Sequence, residues 1–238
     1  MNIGDFLNNF FDKVYLINLD NRPDRLSTSK ELLDKHNIKF ERMSGIYLKN
    51  KYKDKLNIHS KTSGLGALGC ALSHFKCFKD CWDNKYKNIF VFEDDITFIK
   101  KSLQIINFNI LYNDLSNIDY ELFYLGGSYN SKLIKIKNYL YYPSGDLYAT
   151  QSIGYNISFI KKLIEKINLN IDFYIKDDLY TKLLPIDLMV TRSCLKTKII
   201  ATNPIVCVQN KSKSDIVSSH YNIIDNHDHQ INMYNLNK

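Results

Sequence analysis

The run Glu93-Asp94-Asp95 is the strongest chemical signal in this 238-residue chain. Three adjacent carboxylates repel one another unless something positive sits among them. They follow Asn88-Ile89-Phe90-Val91-Phe92, a nearly pure apolar run of the kind that forms a strand buried on both faces. Ligands of open α/β sheets bind beyond the carboxyl ends of such strands. A divalent cation relieves the repulsion, and Mg²⁺ or Mn²⁺ binds one or two carboxylates together with phosphate oxygens.

A second constellation is Asn18-Leu19-Asp20-Asn21-Arg22-Pro23-Asp24-Arg25. It follows a short apolar run, Val14 to Ile17, and Pro23 suits the first turn of a helix. Asn21 or Arg22 would cap that helix. Its free N–H groups can receive an anion, with Arg22 or Arg25 adding a charge-assisted contact.

Cys70, His74, Cys77 and Cys81 share one helical stripe. At ~1.5 Å rise per residue they extend over roughly 16 Å, so one zinc with ~2.3 Å bonds to sulfur cannot collect all four. Two of them could share a metal, but a face of packed cysteines is the simpler expectation. His74 lies on a helix that feeds into the acidic strand and is expected to face the same pocket. His227-Asp228-His229 can hold a metal opportunistically, in what reads as a polar tail. Asp187, just after Pro185, is either a helix-capping acid or a carboxylate placed to act as a general base.

The elements that must carry these residues follow from apolar spacing. A strand over 14–19, a helix from Pro23 to about His36 and a strand from Ile38 to Met43 make a βαβ unit, which predicts a parallel sheet. A lysine-rich stretch (Lys49, Lys51, Lys53, Lys55, Lys61) reads as a solvated loop. Helical spacing then runs from Leu65 to about Lys85, and another helix is expected from about Lys100 to Leu115. Glu121 to Gly127 reads as a strand closing on glycines, Lys132 to Tyr142 as a hairpin or edge strand, and Tyr148 to Ile157 as a strand with Ser158 capping the next helix. Leu183 to Leu188 starts a helix. Lys198 to Thr202 and Ile205 to Gln209 are the last β-rich pieces.

Composition sets outer limits. Hydrophobic residues make up 45% and charged residues 24%, the balance of a globular domain, which excludes collagen, coiled coil and extended disorder. No apolar run approaches the ~20 residues of a membrane span. The first twenty residues lack the pattern of a signal peptide, and five cysteines, three crowded into one segment, do not form a secreted disulfide framework. Both predict a cytoplasmic location. The net charge of +7 favours anionic partners and allows peripheral contact with a membrane surface. Nucleic acid fits that charge but not an acidic turn at a strand end, so it is not expected as a partner.

Taken together, Leu16-Ile17-Asn18-Leu19-Asp20-x-Arg22-x-x-Arg25, Gly69-Cys70-Ala71-Leu72-Ser73-His74, Val91-Phe92-Glu93-Asp94-Asp95 and Leu184-Pro185-Ile186-Asp187 resemble glycosyltransferase family 25 over roughly residues 14–215. That family includes bacterial lipooligosaccharide galactosyltransferases and the galactosyltransferases of collagen hydroxylysine. The resemblance implies an α/β, GT-A-type, Rossmann-like single domain with a mostly parallel central sheet and an elaborated second half. Residues 1–13 would be an N-terminal extension, 14–215 the glycosyltransferase domain and 216–238 a polar tail. It also implies a UDP-sugar donor, Mn²⁺ (or Mg²⁺), inversion at the anomeric carbon, and a glycan or glycoprotein acceptor. Residue by residue, Asp95 would hold the metal, with Glu93 or Asp94 facing the nucleotide sugar. Ser73 and His74 would line the nucleotide and diphosphate side, Asn18, Asp20, Arg22 and Arg25 would border the nucleotide, and Asp187 would be the base. Two departures stand out: Ala67 where the family often has Glu, and Leu188 where collagen-modifying members tend to have an acid. They leave open a degenerate nucleotide-sugar-binding domain without transfer activity.

Overall fold

The computed structural model describes residues 1–48, 65–129, 132–145, 147–167, 186 and 197–210. The chain opens with a helix that its apolar spacing had not flagged, α1 (Ile3–Phe10). Asn2 and Asp5 cap it reciprocally, each side chain accepting from the other's backbone N–H. Residues 1–13, set apart above as an extension, therefore send Ile3, Phe6, Leu7 and Phe11 into the core.

The expected βαβ unit follows: β1 (Lys13–Asn18), α2 (Pro23–Lys35) and β2 (Glu41–Ser44), with β1 and β2 parallel. Pro23 takes the first helical turn as expected, but Arg22 at the cap position makes no capping bond. Its guanidinium reaches Asp24 instead. Next come α3 (Leu65–Asp83), β3 (Asn88–Glu93) and β4 (Ile96–Phe98). The helix expected over 100–115 is broken into α4 (Lys100–Ile105) and α5 (Phe108–Ser116). The Asn107 side chain accepts from the N–H groups of Asn109 and Ile110, which starts a new helix there.

The second half supplies β5 (Leu122–Tyr124), β6 (Ser128–Tyr129), β7 (Leu133–Lys135), β8 (Leu140–Pro143), β9 (Leu147–Tyr148), β10 (Ser152–Asn156), α6 (Ile157–Ile167), β11 (Ile199–Thr202) and β12 (Cys207–Gln209). The cap before α6 is Asn156 rather than Ser158, since its side-chain oxygen accepts from both the N–H and the hydroxyl of Ser158. The helix expected at 183–188 lies outside the described residues apart from Ile186, which is buried. The lysine-rich stretch and the tail also lie outside them.

Eight strands form one sheet in the order β2-β1-β3-β10-β5-β11-β8-β7. β10 runs antiparallel to both neighbours, as does β8, while the other six strands point one way. The sheet is thus mostly parallel in direction, with two reversed strands in its second half. Inserting β10 against the grain brings its first residues, rather than its last, to the carboxyl end of β3.

Side chains alternate across the sheet, and each face has its own core. On one face Tyr15, Ile17, Ile89, Val91, Tyr124 and Tyr155 pack with α3 and α6. On the other, Val14, Leu16, Phe90, Phe92 and Phe123 pack with α1, α5 and Leu33 of α2. Phe11 meets the Phe90 ring edge-on at 5.0 Å between centroids. β3 is covered on both faces, and its last residue is the first of the acidic run.

Candidate functional site

Strand alternation decides where the three carboxylates go. Glu93 continues the row of Ile89 and Val91 and emerges under α3. Asp94 continues the row of Phe90 and Phe92 and emerges beside α2. The backbone of Glu93 is held by Gln151 at the start of β10, whose carbonyl accepts from the Glu93 N–H at 3.0 Å.

Asp94 is fully engaged. Asn18 Nδ2 donates to its Oδ2 at 2.7 Å and Arg25 to its Oδ1 at 3.0 Å, while the Ser29 hydroxyl donates to its main-chain carbonyl at 2.8 Å. Burial raises the Asp94 carboxyl above its ordinary range, and the bonds from Asn18 and Arg25 only partly offset it. Asp94, Asn18 and Arg25 are all less than a tenth exposed. They form a buried clamp that joins the ends of β1 and β3 to the first turns of α2.

Glu93 stands in a different setting. Thr150 donates to its Oε1 at 2.7 Å, His74 Nε2 lies 3.4 Å from the same oxygen, and Cys70 Sγ lies 3.7 Å away. Behind His74, the Tyr155 hydroxyl meets Nδ1 at 3.0 Å. Burial works to raise the Glu93 carboxyl, but His74, Thr150 and Cys70 outweigh it and hold it below its ordinary range.

Asp95 is the unsatisfied member. Its Oδ1 is buried and has no hydrogen-bond partner among the described residues, and its nearest cation is Arg25 at 3.9 Å. Burial and the neighbouring Glu93 carboxylate push it up to about 7. The buried Oε1 of Gln151 likewise has no hydrogen-bond partner among the described residues. Unpaired acceptors of this kind cost free energy, and oxygens of this kind are ligands that a hard cation could take.

The nucleotide-side residues are placed as follows. Asp20 accepts from Arg42 and from the Ser44 hydroxyl, the latter at 2.9 Å, and Arg42 foremost holds its carboxyl below the ordinary range. Arg42 also donates to Asn18 Oδ1 at 3.1 Å. Ser73 accepts from the Ile46 N–H at 2.8 Å and donates to the Gly69 carbonyl at 2.6 Å, tying the segment after β2 to α3. Arg22, paired with Asp24, is half-buried at the rim. Asp187 lies outside the described residues. Cys77 and Cys81 are packed in the core as expected, whereas Cys70 and His74 turn to Glu93.

Four participants carry no local sequence signal: Arg42, Ser29, Thr150 and Tyr155. Each reaches the site from an element distant in sequence. A separate cavity, lined by Phe10, Asn88, Tyr112 and Tyr120 among others, sits at the opposite, amino end of β3 and shares no residue with this cluster.

A family model described as glycosyltransferase family 25 (LPS biosynthesis protein) matches residues 11–188. Human procollagen galactosyltransferase 2 is 31% identical over 132 residues, which cover 49% of this chain and 21% of that protein. Procollagen galactosyltransferase 1-A of Xenopus laevis is 30% identical over 134 residues, again 49% of this chain and 21% of that protein. A glycosyltransferase 25 family member of Drosophila pseudoobscura pseudoobscura is 23% identical over 128 residues, covering 48% of this chain and 20% of that protein. The chain thus spans about a fifth of the length of these relatives. Among solved structures, a glycosyltransferase involved in the glycosylation of the major capsid of PBCV-1 superposes with a TM-score of 0.49 at 11% identity. That superposition covers 85% of this chain and 93% of the other. Among the described residues no helix is long and apolar enough to cross a membrane.

Proposed function

The chain belongs to glycosyltransferase family 25, and from that premise we propose that it is a metal-dependent, inverting hexosyltransferase. In this reading it takes galactose, or glucose, from a UDP-sugar and passes it to a hydroxyl of a glycan or glycoprotein, with a collagen-like hydroxylysine as one acceptor class. The galactose preference follows the names of its procollagen galactosyltransferase relatives.

The observation that carries the proposal is Asp95. A buried carboxylate oxygen without a partner among the described residues, next in sequence to further carboxylates at the carboxyl end of a central strand, fits Mn²⁺ or Mg²⁺ by its all-oxygen chemistry. Asp95 would hold the ion, with the remaining positions open to phosphate oxygens and water. A divalent cation there supplies the positive charge that makes a diphosphate a competent leaving group.

The rest is the work of the chain's own groups. Asp94, spent on Asn18 and Arg25, anchors the turn that carries Asp95. Arg42, Asp20 and Asn18 form the polar border of the nucleotide side. Asp187 is proposed as the base: as the acceptor oxygen bonds to the anomeric carbon, the bond to the diphosphate breaks with its electron pair, and the acceptor's proton passes to the Asp187 carboxylate.

The test is UDP release from a set of UDP-sugars, with and without Mn²⁺, for the wild type and Asp95→Ala. Metal-dependent turnover of one donor that is lost in the variant supports the proposal. Failure of every UDP-sugar to turn over or to bind would sink it, and UDP binding without transfer to any acceptor would point to the degenerate domain.

A further inference from the structure

The geometry points to a binding site for a thiophilic transition-metal ion, zinc above all, formed by Cys70 Sγ, His74 Nε2 and Glu93 Oε1. It is distinct from the all-oxygen site at Asp95, and the inference does not depend on which sugar the protein transfers.

The donor atoms already stand near coordination distances. Tetrahedral bonds of ~2.3 Å to sulfur and ~2.0–2.2 Å to nitrogen and oxygen place such donors roughly 3.4–3.6 Å apart. In the structure the nitrogen and oxygen are 3.4 Å apart and the sulfur and oxygen 3.7 Å. All three atoms lie within 4.8 Å of one another. Cys70 and His74 are one helical turn apart on α3 and so project from the same stripe, while Glu93 arrives from β3. Bonding one ion draws the three donors closer together, and half-buried Cys70 is the most exposed of the three side chains.

The surroundings are those of a ligand set held in place. His74 is fully buried, and its other ring nitrogen meets the Tyr155 hydroxyl at 3.0 Å. Such a partner sets the tautomer and orientation of a metal-ligating imidazole. Thr150 holds the ligating carboxylate oxygen at 2.7 Å. Thiolate with imidazole selects zinc over Mg²⁺ and Mn²⁺. Three protein ligands leave a fourth position for water or a ligand oxygen. Binding requires Cys70 to lose its thiol proton to solvent, after which the ion joins α3 to the end of β3.

The test uses the metal-free 238-residue chain and Co²⁺ as a spectroscopic probe. One equivalent of Co²⁺ is expected to give intense tetrahedral visible bands with a thiolate-to-metal charge-transfer band, all displaced by one equivalent of Zn²⁺ and unaffected by excess Mg²⁺. Cys70→Ser should abolish the charge-transfer band and weaken zinc binding about 100-fold, and Tyr155→Phe should weaken it about 10–100-fold. Circular dichroism establishes that the variants are folded. A readout free of mutation is alkylation of Cys70, mapped by mass spectrometry, which stoichiometric zinc should slow at least about tenfold. Cobalt bands without thiolate charge transfer, as His227 and His229 would give, overturn the site. So does an alkylation rate at Cys70 that zinc leaves unchanged.

Discussion

Asn18 and Asp94, 76 positions apart in sequence, meet at 2.7 Å across the carboxyl ends of adjacent parallel strands. The Asn18 amide nitrogen also donates to the Arg22 carbonyl at 3.0 Å, and its oxygen accepts from Arg42 at 3.1 Å. One buried amide therefore ties β1, β2, β3 and the start of α2 at a single point. The middle carboxylate of the acidic run belongs to this tie, and its neighbours on either side are thereby set for other roles.

Arg25 and Asp94 are both about nine-tenths buried as a pair. Removing one partner of such a pair leaves an uncompensated buried charge, typically at a cost of about 3–5 kcal/mol. Arg25→Ala is expected to lose stability on that scale in urea unfolding. The double variant Arg25→Ala/Asp94→Asn, which removes the stranded charge, should regain at least half of it. Equal losses in the single and double variants would show that the pair is not coupled.

Asp95 carries the clearest pH dependence. Its carboxyl is raised from 3.8 to about 7 in the fold. Between those values the folded state keeps a proton that the unfolded chain has lost, so stability falls as pH rises through this window and levels off above it. Glu93 is lowered below 4.5, so its own contribution is lost only at lower pH. Asp95→Asn should abolish the decline between pH 4 and 7 and exceed the wild type at pH 8, with a ceiling of roughly 4 kcal/mol. Chemical denaturation across that pH range is the measurement.

The same oxygen makes stability responsive to a hard cation. At pH 8, Mn²⁺ at ~100 times its Kd should add about 2.7 kcal/mol to the wild type, with chelation reversing the gain. Asp95→Ala should show no gain from Mn²⁺ in thermal melts.

Gly69 sits where α3 passes the segment after β2. A Cβ there would stand 2.4 Å from the Ile46 carbonyl oxygen, so the segment must move and the Ile46–Ser73 bond with it. Alanine is favoured over glycine by ~1 kcal/mol within a helix, yet overpacking costs about 1–3 kcal/mol. Gly69→Ala should therefore be net destabilising in urea, despite its better helix propensity.

Much of the first half was legible in the sequence because its apolar periods are clean: β1, α2, α3 and β3 lie close to where spacing places them. The place of the acidic run at the end of β3 was legible for the same reason. Its division of labour was not, because the partners that distinguish Glu93 from Asp94 come from α2, α3 and the start of β10. Thr150 precedes the reversed strand β10 and Tyr155 lies within it, and no local pattern encodes that strand's direction. α1 was missed although Asn2 and Asp5 carry a capping pattern, since eight residues offer barely two helical turns. The break at Asn107 was hidden under a continuous apolar pattern, because a side-chain cap competes with helix continuation without disturbing the spacing.

The two faces of β3 give the strand's length a meaning of its own. Deleting one residue between Asn88 and Phe92 would shift the frame by a single step and exchange every side chain's face. The carboxylate now beneath His74 would point at Arg25, and the one now gripped by Asn18 would point at Cys70. All three acids would survive in the sequence, yet each would inherit another's neighbours. The spacing from core to acid thus matters as much as the acids themselves, and conservative substitutions in this strand should be tolerated far better than a one-residue insertion or deletion.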